Sequence, residues 1–519
     1  MKNSNFSKFT FIDLFSGIGG FRLALNNIGG DCINFSEISK DAIKTYCTNF
    51  NENIALNLGD ITKIKSLPNC DLLTAGVPCQ SWSIAGKNLG FDDDRGQLWN
   101  DTIYLLNKSR PKAFIFENVK GLSEPRNRQA LNYILKRVKD AGYYAKYFVL
   151  NSFDYGVPQN RVRVYIVGFR CENFLLNFKL PSAYLNTIKL KDILVDFVDS
   201  GKNEIAKSFN KDLFGDSIIN GKNKSRNGNK LNDYFLFNDI RNGHSTIHSW
   251  DLINTTERQK YICDLLLKNR RKSSYGELDG NPLSYQHFKG LDSTIDESEL
   301  EELVKINILK GIEYDFTIKN NIFDSGLLSN EEILLLEQFS KNKATISTLK
   351  NSRKLKIKRI QVLKNIDSLK EKGIIFCNES RYEFKNTKIS SGLNGINRIF
   401  LPKAEIFPTL VASDSIDFIA SKNIDMGNGL DFKKTFLQEI YFKGNYRRIT
   451  KEEACLIQGF PNNFILPDSR PRWMKLIGNS VSVPVIQMLG KAIVDTGVFE
   501  TNLTEPDFKR ENFSVASYV

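Results

Sequence analysis

Apolar residues in the first third of the chain fall in short unbroken runs, each closed by glycine, proline or a carboxylate. Phe9-Thr10-Phe11-Ile12, Asp71-Leu72-Leu73-Thr74-Ala75, Ala113-Phe114-Ile115-Phe116 and Val162–Phe169 are such runs. Runs of this length predict buried strands. A helix-forming stretch, Arg22-Leu23-Ala24-Leu25, follows the first of them across a glycine turn. Strand, turn and helix in this order predict an open α/β sheet. Polar residues that break the runs then stand at strand ends, where such folds gather ligands.

The middle of the chain reads differently. Residues 200–247 are rich in Asn, Gly, Ser and Lys and predict a loop or linker. Helical patterns follow at 257–268 and 331–339. Between Lys341 and Lys372 stand eleven Lys or Arg and two acidic residues. Ile357, Ile360, Leu363, Ile366 and Leu369 recur there every third residue and predict a helix that stops at Gly373. Residues 344–350 predict a shorter helix before it, and 374–377 with 381–384 a hairpin after it. That order is a winged helix over 341–385, a common DNA reader. The alternative is an amphipathic helix with a solvated lysine face.

Candidate chemistry sits at the breaks. Gly76-Val77-Pro78-Cys79-Gln80-Ser81-Trp82-Ser83 puts Cys79 on a loop beyond a strand, as a nucleophile or as a small packing residue. Asp13-Leu14-Phe15-Ser16-Gly17-Ile18-Gly19-Gly20 is a glycine turn before a helix, and Glu37 lies twenty residues after Gly17. A carboxylate there can accept from ribose hydroxyls, and Asp60 from an adenine amino group. The glycine spacing is not that of dinucleotide folds, so an adenosyl ligand other than NAD fits better. Glu117 ends a buried strand, which raises a carboxyl pKa. Arg161 and Arg163 alternate with valines, so both are expected on one face, toward an anion or an electron-rich ligand. Gly478-Asn479-Ser480-Val481 is a polar turn before a helix near the C-terminus.

Together these residues closely resemble the DNA (cytosine-5)-methyltransferase family, in particular the bacterial enzymes of type II restriction-modification systems. The resemblance covers residues 9–169 and about 446–495 and leaves the middle unmatched. It implies a large Rossmann-like, S-adenosylmethionine-dependent α/β domain from 1–185 and 474–500. A smaller α+β target-recognition domain would span 186–445, a supporting motif 446–473 and a tail 501–519. Cys79 would add to C6 of a cytosine flipped out of duplex DNA, while Glu117 holds N3 and the exocyclic amino group. Arg161 and Arg163 would sit near the base O2 and the thiolate. S-adenosylmethionine would lie against Phe15, Gly17, Gly19, Glu37, Asp60, Pro78, Leu98, Asn479, Ser480 and Val481. Gln80 and Ser83 are expected at the DNA, as are Lys354, Lys358 and Arg359 of the basic helix. Residues 84–98 resemble the loop that closes over the base.

Charge agrees with a polyanionic partner: 72 Lys and Arg against 59 acidic residues give +13, with a pI of about 9.1. The eight cysteines show no Cys-x-x-Cys pair, so neither a zinc site nor a disulfide framework is expected. No secretory leader and no apolar run of membrane-spanning length stands out. The expectation is a soluble, cytoplasmic, nucleoid-associated monomer, with a cognate endonuclease acting separately. Two rivals are an RNA cytosine-5 methyltransferase and a DNA-binding protein that kept the fold without catalysis. The long middle region argues against the first, and the intact Cys79, Glu117, Arg161 and Arg163 against the second.

Overall fold

The computed structural model describes residues 9–78, 94–183, 188–194, 233–276, 279–318, 328–342, 359–388, 391–424 and 429–500. They belong to two compact units, one of residues 1–226, 400–425 and 437–519, the other of 227–399 and 426–436.

Residues 9–169 of the first unit carry seven strands: β1 Phe9–Leu14, β2 Gly30–Ser36, β3 Leu72–Gly76, β4 Ala113–Val119, β5 Tyr144–Asn151, β6 Gln159–Asn160 and β7 Val162–Phe169. Six of these make one sheet in the order β2-β1-β3-β4-β7-β5. β1 to β4 run parallel, and β7 is antiparallel to both of its neighbours. Four helices alternate with the early strands: α1 Gly20–Asn26, α2 Lys40–Phe50, α3 Asp94–Ser109 and α4 Arg128–Asp140. Leu73, Phe114, Phe116 and Ile166 share one core with Trp99 and Leu106 of α3 and Ile134 of α4. Each such side chain contributes roughly 1.5–3 kcal/mol by leaving water. The short apolar runs are therefore central strands covered on both faces.

The most apolar helix, Val483–Val494, packs so closely on α1 that a Cβ at Gly490 would lie 2.7 Å from Leu25. This corrects one expectation, because the run Arg470–Val494 is long and apolar enough to cross a membrane. Here the run is two helices broken between Asn479 and Val483, with most of its residues buried within the unit.

In the second unit, helices Glu257–Asn269, Tyr285–Leu291 and Glu297–Lys305 enclose a core of Ile262, Leu266, Phe288, Leu300 and Leu303. A three-stranded antiparallel sheet completes that core, with Ile375–Phe384 between Leu283–Ser284 and Leu309–Ile318. Helix, strand, helix, helix, strand, strand is the order of a winged helix, but it spans 257–384 and not the expected 341–385. The expected hairpin within 374–384 is instead one ten-residue strand, whose partner is Leu309–Ile318. Helices Asn330–Asn342 and Arg359–Glu371 are inserted between those two strands. Leu335, Leu336, Ile366 and Leu369 bury their shared face. Glu332 locks the helix pair, accepting from Ser368 Oγ at 2.7 Å and Lys372 Nζ at 2.8 Å.

Candidate active site

The glycine turn after β1 takes positive φ at Phe15 (52°), Gly17 (55°) and Gly19 (89°). At Gly19 a side chain is also excluded by space, since a Cβ would stand 2.3 Å from the Phe50 ring. Nothing lies within 4 Å of a Cβ built on Gly17, so the turn faces open space. Glu37 follows β2 and braces the turn: Gly17 N–H donates to its Oε2 at 2.9 Å. Its Oε1 accepts from the N–H groups of Ile38 (2.8 Å) and Ser39 (2.7 Å), which lead into α2. Asn57 backs Glu37 in turn, its Oδ1 accepting from the N–H groups of Glu37 and Gly59, both at 3.0 Å. Asn57 has no counterpart in the sequence expectations, being one asparagine among many in an irregular loop.

Asp60 caps the short turn Ile61–Lys63, accepting from Thr62 N–H at 3.0 Å and Thr62 Oγ1 at 2.8 Å. Those hydrogen bonds, the hydroxyl's first, hold its carboxyl below the usual range. The C-terminal segment closes the other side of the turn. A Cβ on Gly20 would stand 2.7 Å from Val481 Cγ2 and 2.9 Å from Ser480 Oγ. One on Gly76 would be 3.8 Å from Val481 Cγ1 and 3.9 Å from the Phe15 carbonyl oxygen. Phe15, Gly76, Ser480 and Val481 thus converge although they come from opposite ends of the chain. Asn479 ends its helix exposed, and Leu98 on α3 packs half-buried on the main core.

Beside the glycine turn, Asp13 is fully buried in β1, and the Thr74 hydroxyl of β3 donates to its Oδ1 at 3.0 Å. Burial pushes this carboxyl up to about 7, opposed by the Thr74 hydrogen bond. Glu117, at the end of β4, is 9% exposed and forms an ion pair with Arg163 of β7, Nε to Oε1 3.1 Å. Burial raises its pKa, while Arg163 and then Arg161 oppose the rise. Asn118 turns the other way and donates to the Val77 carbonyl at 3.1 Å, fixing the chain where Pro78 leaves β3. Pro78 and Glu117 are therefore linked through adjacent residues of β4.

Arg161 and Arg163 have different hydrogen-bond partners, although both act electrostatically on Glu117 and Tyr165. β7 begins at Val162, so Arg161 immediately precedes the strand. Its guanidinium is 2% exposed and donates to the carbonyls of Leu410 (3.2 Å), Gly478 (3.2 Å) and Ser480 (2.6 Å). Cys79, Gln80 and Ser83 lie outside the described residues, as does most of the 84–98 segment. Lys354 and Lys358 lie outside them too, and Arg359 is described by its backbone alone.

A family model for C-5 cytosine-specific DNA methylases matches residues 9–495. The chain belongs to that family. It is 41% identical over 500 residues to the type II methyltransferase M.HgiBI of Herpetosiphon aurantiacus, covering 96% of this chain and 99% of that one. It is 30% identical over 511 residues to the type II methyltransferase M.NlaIV of Neisseria lactamica, covering 94% and 99%. The match thus runs through the middle region that carried no recognisable motif. This methylase transfers a methyl group from S-adenosylmethionine to C5 of cytosine in DNA. The residues present suit that cofactor. The turn offers open space over Gly17, a carboxylate follows β2, and Gly20 lets Val481 approach where a Cβ would stand 2.7 Å from it.

Proposed function

We propose that Cys79, Glu117 and Arg163 carry the reaction at the carboxyl ends of β3 and β4 and the amino end of the antiparallel β7. The observation behind this is the buried Glu117–Arg163 pair, tied through Asn118 to the start of the Pro78-Cys79 loop. The Cys79 thiolate forms a bond to C6 of the flipped cytosine, which moves electron density to C5. A carboxyl whose pKa is raised by burial donates to N3 as the thiolate adds, and Arg163 stabilises charge on the base and holds Glu117 in place. The cofactor, when bound, supplies the methyl group that C5 takes. A water takes the C5 proton, the C5–H electrons re-form the C5–C6 double bond and expel Cys79 as thiolate, and N3 returns its proton to Glu117.

Phe15, Gly17, Gly19, Glu37, Asp60, Pro78, Leu98, Asn479, Ser480 and Val481 would hold the cofactor, with Gly17 and Glu37 at its centre. Gln80 and Ser83 would contact DNA beside the base. Lys354, Lys358 and Arg359 would contact phosphates, because Lys370 and Lys372 of the same block are already paired with Glu313 and Glu332. The relatives named as type II methyltransferases suggest that this methylase protects a specific host sequence at the nucleoid, as a monomer whose endonuclease acts separately.

The test is chemical. Cys79→Ala should abolish methylation while cofactor and DNA binding persist. DNA carrying 5-fluorocytosine at the target should trap an adduct on Cys79, since fluorine does not leave as a proton does. Recovery of the adduct on another cysteine would sink the assignment.

A further inference from the structure

We infer that Arg161 is a positioning residue for the cofactor pocket, acting with Gln159 and Gln458 to lock the 478–481 segment against α1. The inference rests on the reading of the glycine turn as the cofactor site. It divides two arginines that lie two residues apart: Arg163 serves the base, and Arg161 serves the wall of the pocket.

The three side chains are almost fully buried, and their hydrogen bonds join four stretches of chain. Gln159 Nε2 donates to the Ile457 carbonyl at 2.9 Å and to Gln458 Oε1 at 2.8 Å. Its Oε1 accepts from Leu410 N–H at 3.2 Å, while Arg161 takes the Leu410 carbonyl. The Ser480 carbonyl receives two donors, Arg161 Nη2 at 2.6 Å and Gln458 Nε2 at 2.8 Å. The chain leaves this knot after 161 and, among the described residues, returns to it at 407–410, 457–458 and 478–480. β6 itself pairs in parallel with Phe407–Pro408, so the first return is also a strand contact.

Space allows little slack. A Cβ on Gly478 would stand 2.5 Å from the Val411 carbonyl carbon and 2.6 Å from the Ala412 nitrogen. The 410–412 segment is therefore wedged against the helix end that carries Asn479. On its far side, Ser480 Oγ and Val481 touch the first residue of α1. A fixed carbonyl on one face and a fixed side chain on the other define where this wall stands. A planar guanidinium with five donors can span three carbonyls from one position, and an ammonium on a flexible stem cannot. Buried networks of this kind give one geometry rather than several, since an unmade bond costs the full desolvation of its group.

The experiment measures S-adenosylhomocysteine affinity by calorimetry, and KM for S-adenosylmethionine separately from kcat, in the full chain. Arg161→Lys should weaken S-adenosylhomocysteine binding and raise KM about tenfold or more, the cost of one or two lost charged hydrogen bonds. Its kcat at saturating cofactor should stay within about threefold of wild type, because lysine keeps the positive charge that acts on Glu117 and Arg163 keeps its contact. Gln458→Leu is the milder variant, since Gln159 keeps Ile457 and Ser480 keeps Arg161, and it should show the same pattern at smaller size. The double variant should fall short of the product of the two, as both act on one carbonyl. A lowered kcat with unchanged binding in either variant would overturn the inference and return Arg161 to the base. Glu37→Ala is the reference: unchanged binding there overturns the turn as cofactor site, whereas unchanged binding in Arg161→Lys and Gln458→Leu alone overturns the clasp.

Discussion

The polar contacts of the two units span different lengths of chain. In the first, Gln159, Arg161, Gln458 and Asn118 reach main-chain carbonyls on other segments, up to 319 positions away. In the second, charge meets charge: Lys372 with Glu332, Arg270 with Glu383, and Arg258 with Asp292 and Glu299. A unit assembled from three separate stretches of chain must define where its returns stand, and carbonyl-directed donors fix backbone directly. The second unit has shorter clasps of the same kind, Asn281 Nδ2 donating to the Arg270 carbonyl at 3.2 Å and Arg381 Nη1 to the Tyr275 carbonyl at 2.9 Å. Its ion pairs neutralise part of the basic run, Lys370 with Glu313 and Lys372 with Glu332. The lesson is that a basic run is not a measure of phosphate affinity until its internal partners are subtracted.

The largest effect that sharpens this contrast is at Glu117. Glu117→Gln keeps the shape but cannot give up a proton, so kcat should fall about 10²- to 10⁴-fold while S-adenosylhomocysteine binding holds. A rate within tenfold of wild type would remove Glu117 from the proton's path. Next comes Asp13, whose folded-state pKa of about 7 lies above its ordinary 3.8. A raised carboxyl stabilises the fold below its ordinary value and loses that contribution as pH climbs through about 7. Wild type should therefore lose stability relative to Asp13→Asn between pH 4 and 7, by at most about 1.4 kcal/mol per pH unit. Parallel melting curves across that window would mean that Asp13 is ionised in the fold. The smallest effects separate the lysines. Neutralising Lys354, Lys358 and Arg359 should flatten the salt dependence of DNA binding, by roughly 0.9 in slope per lost phosphate contact. Neutralising Lys370 and Lys372 should leave that slope alone and cost about 1 kcal/mol of stability. If both sets shift the slope equally, the internal pairing does not hold in solution.

β1, β3, β4 and β7 were legible because each is a local fact, a short apolar run and then a breaker, whereas β5 Tyr144–Asn151 was not. The glycine turn, Glu37 and Glu117 were legible for the same reason, standing where a run stops. The displaced winged helix was not. Its third strand is separated from its second by two inserted helices, so the polar-apolar alternation of 375–384 looked like a hairpin turning on Asn378-Glu379-Ser380. Its register is instead set by Leu309–Ile318, on the far side of the insertion.

By itself the sequence determined which residue types stand at the strand ends and therefore the chemistry on offer. That information lies in spacing along the chain. Only the tertiary structure decided what each polar side chain holds. Arg161 and Arg163 are both arginines on one short motif, yet the ladder begins at Val162 and divides them. One meets a carboxylate and the other meets three carbonyls, because a hydrogen bond depends on what folding brings within 3 Å and not on position in the chain.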